Sequence, residues 1–367
     1  MCSLLQNNAT HINKENQSDN KQGKVQVMRN FYLSEFEEWP LHVAKIGDDL
    51  NPFHDDKVEL YAVVGYHMPY ETLKFLAVKG ILEDALSRGM LENTKTLIEA
   101  TSGAYGLVLA GLAKSFGIKN VILVMKNDVP LGKKYPPYLA GARIIPPEEG
   151  LSPIGTARKL GGGGWKKSGW ERGTNGWLNL DQYANPANTK LYEDWLTPKI
   201  IKNIPNLSLI AAPVGTGGTI IGLSKAMRGT VKNTTILGVM CSPGNEIPGA
   251  RDLNAMKEIS LPWREAIDEK VEVETKISYL SSLQILWKTG LTPGASGGMA
   301  YAGVIKFLKE EKRQNRSLDR LRNSEGKIVA AIIFHDSFRP YVADRFTVFL
   351  PEEWQKPSTA PLPWEII

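Results

Sequence analysis

"LSLIAAPVGTGGTIIGLSKAMR" (207–228) decides how this chain folds. Its first seven residues are almost all apolar or small, the pattern of a strand buried on both faces. Glycines at 215, 217 and 218 then make a turn, and 218–228 reads as a helix. A strand that runs through glycines into a helix is one unit of an open parallel sheet. The unit recurs. "TLIEA" (96–100) reads as a strand, followed by a helix "YGLVLAGLAKSFG" (105–117) that Gly117 closes. Further strands are read at "NVILVM" (120–125), "ARII" (142–145), "TTILGVM" (234–240), "VEVETKI" (271–277) and "KIVAAIIF" (327–334). Helical patterns cover 186–202, 280–289 and 297–310. With 367 residues the chain exceeds the usual single-domain range. The expectation is therefore an α/β protein of two lobes, each an open, mostly parallel sheet flanked by helices.

Composition excludes several classes. A net charge of +5 is small for this length, and the basic residues are scattered, which argues against nucleic acid. No apolar run approaches the roughly 20 residues that span a bilayer, and the first 24 residues carry no signal-peptide core. Two cysteines, Cys2 and Cys241, make no disulfide framework, so a reducing, cytoplasmic setting is expected. Five histidines show no paired ligand spacing, and no metal is expected. The segment "KLGGGGWKKSGWERGTNGW" (159–177) holds seven glycines and three tryptophans, and is read as a mobile surface excursion without regular structure, with a binding loop or lid as the alternative because Trp165, Trp170 and Trp177 need an apolar partner.

Three loops could carry chemistry. Gly215, Thr216, Gly217, Gly218 and Thr219 place free amides and hydroxyls at a helix start, which suits a phosphate. The turn lacks the lysine of a nucleotide P-loop and the glycine spacing of a dinucleotide fingerprint. Thr101, Ser102 and Gly103 form a second such turn, suited to a carboxylate; helix caps use the same residues. A strand ends at "HDS" (335–337), where a turn or cap is an equal reading. In "YETLKFLAVKGILEDAL" (70–86), Lys74 sits among apolar residues. Lysine avoids burial unless it is paired or loses its charge, so Lys74 is either a snorkelling surface group or a nucleophile. Lys79 is read as a solvated lysine paired with Glu83 one turn on.

These features together resemble the cysteine synthase/cystathionine β-synthase family of pyridoxal-phosphate (PLP) enzymes, of fold type II and tryptophan synthase β-like. The likeness runs from about 39 to 346. It is carried by "KGILEDALSRGML" (79–91), "TLIEATSGAYG" (96–106), "NLDQYANPANTKLYED" (179–194), "VGTGGTIIG" (214–222), "IPGAR" (247–251), "GASGG" (294–298) and "HDSFRPY" (335–341).

The resemblance implies that Lys74 is the Schiff-base lysine and that Gly215 to Thr219 cradle the PLP phosphate. It implies that Ser337 meets the pyridine nitrogen, and that Thr101, Ser102, Gly103 and Gln182 bind the substrate α-carboxylate. The implied activity is β-elimination or β-replacement on a serine-type amino acid such as O-acetylserine. It would pass through an aminoacrylate to which a sulfur or other nucleophile adds. A homodimer is implied too. So are a larger cofactor lobe (26–65 and 186–352) and a smaller mobile substrate lobe (66–185), with a C-terminal tail at 353–367; residues 1–25, polar and poor in aromatics, are read from composition as a disordered tail. The alternative is a relative that keeps the fold, and perhaps PLP, for binding or regulation.

Some positions depart from the pattern. Ala104 stands where the family's asparagine contacts the PLP 3′ oxygen and the substrate. Phe75 and Leu76 replace an acidic-basic pair, predicting a more apolar setting for Lys74. Met68-Pro69 replaces an Asn-Pro, Val63 and Gly65 replace a lysine and an acid, and Pro136-Pro137 interrupts a helix.

Overall fold

The computed structural model describes residues 30–349 except 167–168, 174, 232, 315–316 and 343–345. Both terminal tails and Cys2 therefore lie outside the described residues. A short helix α1 (Phe31–Ser34) leads into β1 (Val43–Ile46) and β2 (Val58–Val64). Next come α2 (Lys74–Ser87), β3 (Thr96–Ala100), α3 (Ala104–Ala113), β4 (Asn120–Val124), α4 (Leu131–Leu139), β5 (Ala142–Ile145) and α5 (Pro153–Leu160). A hairpin of β6 (Trp165–Lys166) and β7 (Gly169–Trp170) precedes β8 (Trp177–Asn179). The chain closes through α6 (Thr197–Asn203), β9 (Leu209–Pro213), α7 (Gly218–Thr230), β10 (Thr235–Cys241), β11 (Glu269–Val273), α8 (Thr275–Thr289), α9 (Ala295–Arg313) and β12 (Ile328–Phe334).

Apart from the β6–β7 hairpin, the described strands make two sheets. Six are ordered β1-β2-β12-β9-β10-β11, parallel except for the edge strand β1. Four are ordered β5-β4-β3-β8, all parallel. The central strands β9 and β12 are buried along their whole length, as apolar runs covered by helices on both faces must be. α9 crosses under the larger sheet and packs its glycines closely, Gly303 against Val239 and Val271.

Five readings need correction, the first being that Pro136-Pro137 interrupts a helix: α4 runs through both prolines. β11 ends at Val273 and α8 begins at Thr275, so "TKI" of 271–277 is helical; its β-branched residues imitate a strand. The 186–202 pattern is broken into a 3-10 turn (Pro186–Thr189), a π-helical turn (Tyr192–Leu196) and α6. The Gly/Trp-rich stretch does form structure: Trp165 and Trp170 face each other edge-on across the β6–β7 hairpin at 5.3 Å. Trp170 Nε1 donates to Asp84 of α2, and the Arg172 guanidinium donates to the Gly89 and Met90 carbonyls beyond that helix. Lys79 pairs with Glu83 at 2.5 Å as expected, but it is buried rather than solvated, because Phe36 covers its ammonium at 4.4 Å.

Candidate active site

A cavity of about 510 Å³ opens where the C-terminal ends of both sheets face each other. Such a crevice is where open α/β sheets bind ligands. Lys74 reaches it because α2 starts there. Backbone pairing fixes that start: the Leu73 amide donates to the His335 carbonyl, and Thr72 bridges Asp336. The Thr72 hydroxyl accepts from the Lys74 amide at 3.2 Å. The Lys74 side chain is half-buried, opening onto the cavity that it lines. Desolvation lowers its pKa to about 8, with Asp336 pulling it up and Arg251 pushing it further down.

The turn between β9 and α7 forms the opposite wall. Gly217 sits at φ +85°, and a side chain there would press on Trp263. A Cβ on Gly215 would collide with the Gly249 carbonyl, and one on Gly218 with the Asn188 amide. Glycine alone lets this turn lie flat against its neighbours and present the first amides of a 13-residue helix. Thr219 Oγ lies 2.9 Å from His335 Nε2. His335 is held neutral, its pKa driven to about 3 by burial and then by Lys74.

The third wall is the turn after β3. Thr101 Oγ accepts from the Gly103 and Gly106 amides and so shapes the loop. Beneath it, Glu99 accepts from the Ala100 and Gln182 amides, tying the loop to Gln182, whose Nε2 donates to the Ala100 carbonyl. Burial, then the neighbouring Asp181, raises the Glu99 pKa well above the usual carboxylate value. Asp181 itself is paired with Arg158 by two bonds of 2.9 and 3.1 Å.

The cavity thus brings together Lys74, Thr101, Ser102, Ala104, Gln182 and all of Gly215 to Thr219. Two singled-out residues stand apart. Gly103 turns at φ +138° against Lys133 and does not line the cavity. The Ser337 hydroxyl donates to Glu71 at 2.8 Å, and Asp336 lines the cavity instead. Asp336 accepts from the Tyr341 and Ser296 hydroxyls, and burial raises its pKa while Lys133 opposes the rise. Phe75 and Leu76 do not line the cavity either: both are fully buried, and Phe75 joins an aromatic cluster with Tyr32, Phe36 and Tyr70. The change from charged residues therefore serves packing behind α2 and leaves the lysine's polar surroundings in place.

Lys133, Arg251 and Tyr105 also line the site and were not singled out in the sequence. The arrangement fits PLP. A lysine of lowered pKa suits an aldehyde, the flat glycine turn suits a phosphate, and His335 Nδ1 and the Tyr105 hydroxyl are buried in the lining without a protein partner. Among the described residues no group of His, Cys, Asp and Glu could hold a metal, and no helix is long and apolar enough to cross a membrane.

A family model described as "Pyridoxal-phosphate dependent enzyme" matches residues 49–318. Among curated proteins, cysteine synthase A of Escherichia coli (strain K12) is 24% identical over 296 residues, covering 76% of this chain and 90% of that protein. Cystathionine beta-synthase of Saccharomyces cerevisiae is 27% identical over 329 residues; the match covers 82% of this chain but 59% of the yeast protein. Two solved structures share the fold at 18% identity. Cysteine synthase from Entamoeba histolytica superposes with a TM-score of 0.71, covering 92% of this chain and 96% of that one. O-ureido-L-serine synthase does so with a TM-score of 0.69, covering 85% and 93%.

Proposed function

The chain belongs to the pyridoxal-phosphate dependent enzyme family, and from that premise we propose that it performs β-elimination or β-replacement on a serine-type amino acid, in the manner of a cysteine synthase. The observation that carries this reading is the convergence of Lys74, the Gly215–Thr219 turn and the Thr101–Gln182 wall on one cavity. In this reading Lys74 anchors the cofactor, and the amides and hydroxyls of 215–219 hold its phosphate. Bound PLP supplies the electron sink for charge developing at the substrate Cα. Thr101, Ser102 and the remaining Gln182 N–H orient the α-carboxylate, so that the Cα proton faces the Lys74 amine. An amine whose pKa is lowered to about 8 is half neutral there and largely neutral above it, and the neutral form can take that proton. The apolar core behind α2 keeps water from the lysine stem.

The lowered pKa gives a pH dependence of known sign. The neutral amine is the form that attacks an aldehyde, so capture of PLP by apoprotein is expected to quicken with pH up to about 8 and then level off. An ordinary lysine would keep gaining rate toward its pKa of roughly 10.4. Stopped-flow absorbance against pH reads the inflection.

The direct test supplies PLP-loaded protein with O-acetylserine, O-phosphoserine or serine, with and without sulfide. Cysteine or pyruvate formation is expected from at least one. No product from any of them would end the catalytic reading. It would favour a PLP-binding relative without turnover, the second reading, which the alanine at position 104 supports.

A further inference from the structure

We propose that His335 is a positioning residue for Lys74: its Nε2 donates to Thr219 and heads a one-way chain of hydrogen bonds that ties the glycine turn to the start of α2. The direction of each bond follows from counting protons. The Leu73 carbonyl has none, so the Tyr192 hydroxyl donates to it, at 2.9 Å. Burial raises the Tyr192 pKa, which keeps that proton in place. The Tyr192 oxygen then acts only as an acceptor, and its second partner is the Thr219 hydroxyl. A hydroxyl has one proton to give, and Thr219 gives it to Tyr192. Toward His335 Nε2, 2.9 Å away, Thr219 is therefore the acceptor, and the imidazole supplies the proton. A neutral imidazole carries one N–H, so Nδ1 is bare. Its surroundings agree. Nδ1 is buried without a protein partner, and, as for the backbone, a buried N–H is left orphaned less often than an acceptor.

The chain closes on itself. The Leu73 amide donates to the His335 carbonyl, while the Leu73 carbonyl is reached from the His335 ring by way of Thr219 and Tyr192. One residue thus holds both backbone groups of Leu73, the neighbour of Lys74. Thr219 is the second residue of α7, and its amide stays available to an anion while its hydroxyl serves the chain. The two elements joined in this way are those that the cofactor reading assigns to the aldehyde and to the phosphate of PLP. Their spacing has to match one rigid ring, so a bond that fixes it contributes to alignment. The imidazole suits this task because burial holds it neutral, with one fixed donor.

The consequence rests on the PLP reading of the cavity, but the bond direction does not, and the two are tested apart. NMR of nitrogen-labelled histidine in cofactor-free protein is expected to show His335 protonated at Nε2 and bare at Nδ1. The resonance is assigned by its loss in His335→Gln. A proton on Nδ1 would overturn the proposal whether or not PLP binds. Wild-type protein that takes up no PLP would end the cofactor reading instead, and the tautomer would still decide the chain.

Two substitutions test the positioning. Glutamine can bring an amide N–H near the Nε2 position, and asparagine only near Nδ1. His335→Asn is expected to bind PLP about 10-fold more weakly, the loss from one hydrogen bond. The inflection in the pH dependence of PLP capture should also move upward from about 8, as a less firmly held Lys74 regains water. Asp336 and Arg251, the charges that act on Lys74, are untouched in both variants. His335→Gln should recover most of the affinity and return the inflection toward 8. A merely structural histidine would lower the melting temperature in both variants and leave the inflection where it is. Thr219→Val breaks the same chain, so adding it to His335→Asn should cost little more. Affinity and inflection unchanged in His335→Asn, or equal losses in the glutamine and asparagine variants, would overturn the proposal.

Discussion

Lys74→Ala is expected to abolish covalent retention of PLP and to lower turnover by about 10²-fold to 10⁴-fold, the range for loss of a positioned proton-transfer group. The fold should survive. The first turn of α2 is fixed by backbone groups, Leu73 N to His335 O and Lys74 N to Thr72 Oγ, which alanine keeps. The variant also removes an amine whose charged form is disfavoured by burial, so no buried partner loses an ion pair of short geometry. Borohydride reduction followed by peptide mapping checks the outcome. Wild type should carry the pyridoxyl mass on the peptide containing Lys74, and the variant on none. Lys74→Arg makes a sharper comparison: it keeps a cation at the same place, but a guanidinium does not lose its proton and forms no adduct. A pyridoxyl group found on Lys133, or retention by Lys74→Ala, would refute the assignment.

The parallel sheets were legible in the sequence because their strands are continuous apolar runs. β9 and β12, buried at every position, leave no other reading. β1 and β2 were not legible: β1 is an antiparallel edge strand with a single buried residue at Ile46, and β2, although parallel to β12, is interrupted by the half-buried Glu59 and Tyr61. β8 is three residues long and emerges from a glycine-rich stretch. The site divides the same way. Residues on glycine turns announce themselves, since a strand running into glycines has few other uses. Residues that enter the site through tertiary docking do not. Lys133 lies on α4 beside exposed Leu131, Tyr135, Tyr138 and Leu139, so locally it reads as a surface lysine. Tertiary contacts make it a buried wall of the cavity, among them Tyr341 from the turn after β12, whose ring lies 4.3 Å from its ammonium. Lys79 was misjudged for the same reason: its cover, Phe36, lies 43 residues away in sequence (79 − 36). Ser337 shows the reverse case. Its motif is plain, but which of Asp336 and Ser337 faces inward depends on how the chain leaves β12. Here Glu71 draws the serine hydroxyl away.

Gly215→Ala should be the most damaging single methyl in the molecule for cofactor binding. The new Cβ would stand inside contact distance of the Gly249 carbonyl oxygen, a backbone atom that cannot rotate aside. Relief requires the turn and the 247–251 loop to separate. That loop is itself tied down by the Arg251 amide bonding to the Val214 carbonyl. Overpacking of this kind costs roughly 1–3 kcal/mol in stability. The functional loss should be larger, because moving the turn disperses the amides that converge at the start of α7, and an anion there depends on their joint direction. PLP affinity is therefore expected to fall by at least about 100-fold, or roughly 2.7 kcal/mol, with a drop in melting temperature. Gly229→Ala is the internal control. It lies near the far end of the same helix with no neighbouring atom in the way, and alanine there should stabilise α7 by up to about 1 kcal/mol. Equilibrium PLP titration and thermal melts of the two variants separate a local collision from a general effect on the helix. If Gly215→Ala bound PLP as tightly as Gly229→Ala, the turn would not be the phosphate site, and the anion-binding wall would have to be sought at the β3–α3 loop.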